Sequence, residues 1–245
     1  MVKSVRSVYT LNKPYFFGTL YEINEAVKKM GFELILVGGG AVQSHIVNIL
    51  GFEQASNYLR KTDDIDMVLL NMTEENITHL LKAIDGTSRL YSNGKEEHLL
   101  EIYVSRFGVK KPIVHVKYLN SDLFEGDVML NISTTLYELK NFEPETVKRF
   151  YERSIELSLY HKELGLKLLI KVLALEDLLT TKIVAGRDKD IKDVKSLLSI
   201  LASRRREVDW KTIERNIKEI KNIEKKLKAR ERLNEVKGFY SKTIS

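Results

Sequence analysis

Two short stretches hold residue types that could do chemistry: Gly38-Gly39-Gly40, and Thr62-Asp63-Asp64-Ile65-Asp66-Met67. Side chains two apart on a strand point the same way, with Cα atoms about 6.5–7 Å apart. Asp64 and Asp66 would therefore share one face while Ile65 and Met67 pack on the other. Two carboxylates on one face make a hard-oxygen site suited to Mg²⁺ or Mn²⁺. Such a pair can hold two ions about 3.5–4 Å apart, as in-line phosphoryl and nucleotidyl transfer requires. Glycines between a strand and a helix let backbone N–H groups approach phosphate oxygens, and a helix start adds favourable partial charge. One stretch would cradle a polyphosphate and the other would grip its metals. Either alone is weak, because an Asp-x-Asp triplet is commonly a solvated strand edge and a glycine run a tight turn.

Their order adds information: apolar strand, glycines, helix, then a carboxylate pair opening a second apolar strand. LVGGGAV (36–42) and TDDIDMV (62–68) together resemble the signature of nucleotidyltransferases of the DNA-polymerase-β superfamily. The gap between the two is about twice the usual one, so residues from roughly Gly51 to Arg60 enter as an inserted loop or helical turn. LEDLLTTKIVAGRDKDIKDV (175–194) resembles the segment after the core in AbiEii-type and related bacterial and archaeal nucleotidyltransferases. By that resemblance Lys182, Arg187, Lys189, Asp190 and Asp193 match a helical Lys followed by an Arg-x-Lys-Asp-x-x-Asp motif.

The resemblance implies a nucleoside triphosphate substrate, with Asp64 and Asp66 as metal ligands and Gly38, Gly39 and Gly40 on the outer phosphates. Lys182 would meet triphosphate oxygens, and Arg187, Asp190 and Asp193 would complete the nucleotide site. The acceptor hydroxyl would belong to RNA, a protein or a small molecule, and a partner protein of toxin–antitoxin type is implied. The superfamily often has a third acidic residue between apolar neighbours on a later strand. IVHVKYL (113–119) offers His115 and Lys117 there, and Glu101 in LLEIYV is the acidic alternative.

The elements that must position these residues are legible in outline. TLYEINEAVKKM (19–30) has helical apolar spacing, and LILV (34–37) is a short buried strand. AVQSHIVNIL continues as a helix ended by Gly51, and IDMVLL (65–70) is β-branched enough for a central strand. EENITHLLKAI (74–84) reads as a helix. EHLLEIYVSRF (97–107) and PIVHVKYL (112–119) read as a hairpin around Gly108–Lys111, and 155–160 with 166–172 as another around Gly165. From Leu175 the pattern is helical. The expected fold is α+β: a polymerase-β-like mixed sheet with flanking helices over residues 1–173, then a helical region over 174–245 with a basic tail.

Composition bounds the rest. The chain of 245 residues is 43% hydrophobic and 30% charged, enough to bury a sizeable core. It has no cysteine, which excludes disulfides, thiolate-bound zinc and iron–sulfur sites. No apolar run reaches the roughly 18 residues of a membrane span, so a soluble cytoplasmic protein is expected. Residues 204–245 hold 14 Lys/Arg against 7 Asp/Glu, while the rest holds 26 against 27. Ile213, Ile217, Ile220, Ile223 and Leu227 recur at helical steps in that tail, giving an apolar stripe with charge around it. A solvated helix packed on the protein is the plain reading, and a basic surface for RNA phosphates is the sharper one. The glycines fit only two positions of a dinucleotide-binding fingerprint, with Gln43 at the third, and no Walker A, HExxH or GxSxG motif is present. His45, on the helix after the glycines, is a candidate phosphate contact. A non-catalytic nucleotide- or RNA-binding module on the same fold is the alternative to an enzyme.

Overall fold

The computed structural model describes residues 10–62, 64–69, 89–90, 113–119, 127–133 and 141–244. Helix α1 (Pro14–Lys29) starts at a proline, whose missing N–H costs nothing in the first turn. It buries Phe16, Phe17, Leu20, Ile23 and Val27 along one face. Strand β1 (Leu34–Leu36) is buried at every residue, as a strand flanked on both sides must be. Helix α2 (Gly38–Ala55) begins at the first glycine itself, so the glycines form its opening turn and not a loop before it. Gly51, at φ +74, interrupts that helix, and residues 52–55 make one more turn. The expected insertion is thus a helical turn followed by a short connection.

Next come β2 (Asp64–Leu69), β3 (Arg89–Leu90), β4 (Ile113–Leu119) and β5 (Asp127–Ser133). Helix α3 (Pro144–Glu152) leads into the hairpin of β6 (Ile155–His161) and β7 (Leu166–Val172), which turns at Gly165 as expected. Four helices close the chain: α4 (Leu175–Ala185), α5 (Asp188–Ser203), α6 (Trp210–Lys218) and α7 (Ile223–Ile244). None of the described helices is long and apolar enough to cross a membrane.

The strands form one mixed sheet in the order β3-β4-β5-β2-β1-β7-β6. β1 runs antiparallel to β2 and parallel to β7, and β2 runs parallel to β5. The architecture is therefore α+β with a mixed sheet. β4 pairs antiparallel with β5, a strand that the sequence leaves unmarked, and with β3 at Tyr118 and Leu119. The expected strand over 97–107, with Glu101, and the expected helix over 74–84 lie outside the described residues.

One apolar cluster joins Ile35 and Val68 of the sheet to Leu197, Ile213 and Val236 of the closing helices. The stripe read along the tail holds only through its first half. Ile213, Ile217 and Ile220 are buried, whereas Ile223 and Leu227 are 73% and 53% exposed. The chain leaves the helix at Lys218 and re-enters one at Ile223, so the angular phase is lost. α7 packs instead through Ala229, Leu233, Val236 and Tyr240.

Candidate nucleotide site

Gly38 sits against Asp66. Its φ is +62, in the left-handed region that glycine tolerates best. A Cβ added there would lie 2.4 Å from Oδ2 of Asp66, so the backbone occupies space that any side chain would claim. The Val37 N–H donates to the Asp66 carbonyl at 3.0 Å, which locks the start of α2 onto β2. Gly38 and Gly39 are half-exposed, whereas Gly40 is buried and packs on Leu36. The two stretches singled out above, 26 residues apart from Gly40 to Asp66, are therefore neighbours. Only two of the three glycines leave their backbone open to a ligand.

Asp66 is half-buried, with Ile65 and Met67 fully buried on either side. Asp64 lies two residues earlier on the same strand, opposite Met129 of β5, and Asp66 lies opposite Asn131. On β4, His115 is opposite Asn131 and Lys117 opposite Met129. The row across three strands thus reads Asp66, Asn131, His115. On β5 the residue opposite Asp66 is Asn131, between Leu130 and Ile132, and on β4 the expected place of a third carboxylate holds His115 and Lys117. Carboxylate oxygens at Asp66 and at its strand neighbour Asp64 suit a divalent cation of the Mg²⁺ type. Among the described residues, no three His, Asp or Glu gather into a metal cluster.

The second motif forms a chain of charges, buried at Lys182, Asp190 and Asp193 and reaching solvent at Arg187 and Arg60. The Lys182 ammonium, 5% exposed, donates to Oδ1 of Asp190 at 3.0 Å and to Oδ2 of Asp193 at 2.8 Å. Arg187 donates from Nε to Oδ2 of Asp190 at 2.5 Å. Arg60 donates from Nε to Oδ1 of Asp193 at 2.8 Å and from Nη2 to Oδ2 at 3.3 Å. Burial alone would raise the Asp190 carboxyl, but the Arg187 hydrogen bond and the Lys182 charge outweigh it and hold the group below its ordinary value. Three cations face two carboxylates, leaving one positive charge in excess. Asp190 and Asp193 are one helical turn apart on α5, which is why both reach one lysine. The Lys182 amine is spent on the two aspartates inside the protein, and Lys189 is exposed.

Arg60 ties this chain to the glycines, since its Nη2 is 3.5 Å from where a Gly39 Cβ would lie. Gln43 fixes Arg60 in turn: its Nε2 donates to the Arg60 carbonyl at 3.0 Å while its Oε1 accepts from Leu11 N–H. Sequence reasoning missed Arg60 because it belongs to no periodic element, and its partner is 133 residues away. His45 does not face a ligand: it is 4% exposed, burial lowers its pKa, and its Nε2 donates to the Leu173 carbonyl at 2.8 Å.

A helix opened by glycines and seated on a carboxylate strand of a mixed sheet, with a cationic network behind it, suits the class of proteins that handle nucleotides. The chain belongs to a family of that class. Residues 16–245 match the family model described as "Nucleotidyltransferase of unknown function (DUF6036)". No curated protein matches it.

Proposed function

We propose that the protein is a metal-dependent nucleotidyltransferase that moves a nucleoside monophosphate from a nucleoside triphosphate to a hydroxyl acceptor. The observation that carries this reading is the contact between Gly38 and Asp66, which joins a polyphosphate cradle to a metal-binding carboxylate. Asp64 and Asp66 would hold Mg²⁺ or Mn²⁺, which supplies charge neutralisation at the phosphates. The open N–H groups of Gly38 and Gly39 bind the outer phosphates, as helix starts do. The acceptor hydroxyl oxygen attacks the α-phosphorus in line as its proton passes to solvent; the bond from the α-phosphorus to the oxygen bridging it to the β-phosphate breaks, and pyrophosphate leaves. Lys182 acts as a positioning residue: it holds Asp190 and Asp193, which hold Arg187 and Arg60 at the two ends. Arg60, beside Gly39, brings the excess positive charge to the phosphate end.

On this reading the sheet is a polymerase-β-type core over residues 1–173, the helices of 174–245 brace it, and the likeness to AbiEii-type enzymes extends to function. The acceptor is RNA, a protein or a small hydroxyl compound, with a partner protein in the cytoplasm. That asparagine, and not a carboxylate residue, stands opposite Asp66 in register favours a second reading, a binding module that has lost turnover.

Transfer of label from each α-³²P nucleoside triphosphate into RNA and lysate protein, with Mg²⁺ or Mn²⁺, separates the two. Wild type should label an acceptor, and Asp66→Ala should label none while melting at the wild-type temperature. Equal labelling by Asp66→Ala would sink the metal-site assignment. Triphosphate binding without labelling would select the binding module.

A further inference from the structure

The lengthened gap between the glycines and the aspartates has a structural product. It walls a cavity of about 280 Å³ that opens beside Gly39. Asn57 and Tyr58 come from the extra residues, Gly39 and Gln43 from α2, and Lys192 and Ser196 from α5. Along α2 the cavity follows positions 39, 42, 43 and 46, one helical face roughly 10 Å long. It therefore begins at the open glycines and leads away from them.

Tyr58 is placed unlike a packing residue. Its N–H donates to the Ala55 carbonyl at 2.8 Å, and Leu59 N–H donates to the same oxygen at 3.1 Å. Ala55 is fully buried, so the backbone of the segment is anchored. Arg204 reaches over to Gln54 at 2.5 Å and ties the preceding turn to the end of α5. Yet the Tyr58 side chain leaves the residue 48% exposed, although it lines the cavity. A ring on a fixed backbone, half in solvent at a cavity mouth, is a ready stacking surface. Asn57 and Ser196 add hydrogen-bonding groups, and Lys192 adds a cation.

We propose that this cavity is a nucleobase subsite in which Tyr58 stacks on the base of the nucleotide whose phosphates lie at Gly38 and Gly39. The inference rests on the nucleotidyltransferase reading and extends it, assigning the residues between Gly51 and Arg60 to substrate recognition. Stacking accepts any base, while Asn57 and Ser196 supply the preference among them.

Calorimetric titration with Mg²⁺ and each of the four nucleoside triphosphates, and with inorganic tripolyphosphate, tests it. Tyr58→Ala should weaken nucleotide binding by about tenfold or more and leave tripolyphosphate binding unchanged. Tyr58→Phe, which keeps the ring, should bind like wild type. Ser196→Phe, which fills the cavity from the α5 side, should also weaken nucleotides alone and decides the matter if Tyr58→Ala folds poorly. Asp66→Ala should weaken both ligand types. If Tyr58→Ala and Ser196→Phe bind nucleotides as wild type does while Asp66→Ala does not, the subsite is wrong and the nucleotidyltransferase reading survives. If wild type binds neither ligand, both fall.

Discussion

Gly38 shows how one residue can carry two requirements. Its positive φ strains any L side chain by about 1–2 kcal/mol, and its missing Cβ makes room for the Asp66 carboxylate. Gly51 shares the first requirement at φ +74 but has nothing within 4 Å of its would-be Cβ. At φ +74 and ψ +161 the Gly51 backbone lies where almost only glycine goes, so Gly51→Ala should cost about 1–3 kcal/mol and leave activity intact. Gly38→Ala should cost more than that and abolish transfer, because the methyl displaces Asp66. Denaturant midpoints measured beside transfer rates check this; equal losses of stability and activity in the two variants would refute it. The glycine triplet was legible in the sequence as the junction between a strand and a helix, LILV giving way to AVQSHIVNIL. The division of labour within it was not legible. Which glycine meets the aspartate depends on where α2 begins relative to β2, and that is set by tertiary packing.

At the level of elements, local pattern served where pairing is local. The β6–β7 hairpin follows from alternation around Gly165, with Leu157, Leu159, Leu168 and Ile170 all buried. The parallel pairing of β2 with β5 leaves no such trace, because DVMLNIS carries an aspartate, an asparagine and a serine in seven residues. Its neighbour is set by the whole sheet. The α4–α5 ion network is intermediate: its residues were singled out for a ligand, and they are found holding one another. Asp190 is the sensitive member. Its folded-state pKa is depressed, so its stabilisation is present above the unfolded value of about 3.9 and is lost as pH falls through the folded value. Asp190→Asn should cost about 3 kcal/mol near pH 7, since Lys182 and Arg187 lose a buried partner. The difference from wild type should shrink below about pH 4, which urea titrations across pH would show. Asp177, whose carboxyl burial raises against the pull of Arg153 and Asn216, contributes with the opposite sign and is unaffected by the substitution. A difference that stays constant down to the acid transition would mean that Asp190 is not charged in the fold.

Across the whole molecule, the basic tail decides whether residues 204–245 are an appended arm or part of the body. Its charge is that of an arm, with twice as many cations as anions. Its packing is that of a body. Leu233, Val236 and Tyr240 of α7 lie in the core, and the Tyr240 hydroxyl donates to the Arg206 carbonyl at 2.6 Å. Arg232 donates to the carbonyls of Ile183 and Val184 at 3.1 and 3.3 Å, capping the end of α4 one residue before Gly186 and the ion network. Its guanidinium fills the space a Gly186 side chain would need, with Cζ 1.9 Å from the would-be Cβ. A chain ending at Lys221 would lose these buried groups, roughly 5 kcal/mol or more of apolar burial, together with the cap. That approaches the whole stability of an ordinary domain, about 5–15 kcal/mol. The truncated protein should fail to unfold cooperatively in a calorimeter and should lose triphosphate binding even though every glycine and aspartate of the site remains. Cooperative melting near the wild-type temperature would instead make α7 a detachable arm, and its exposed cations would then serve a partner and not the fold.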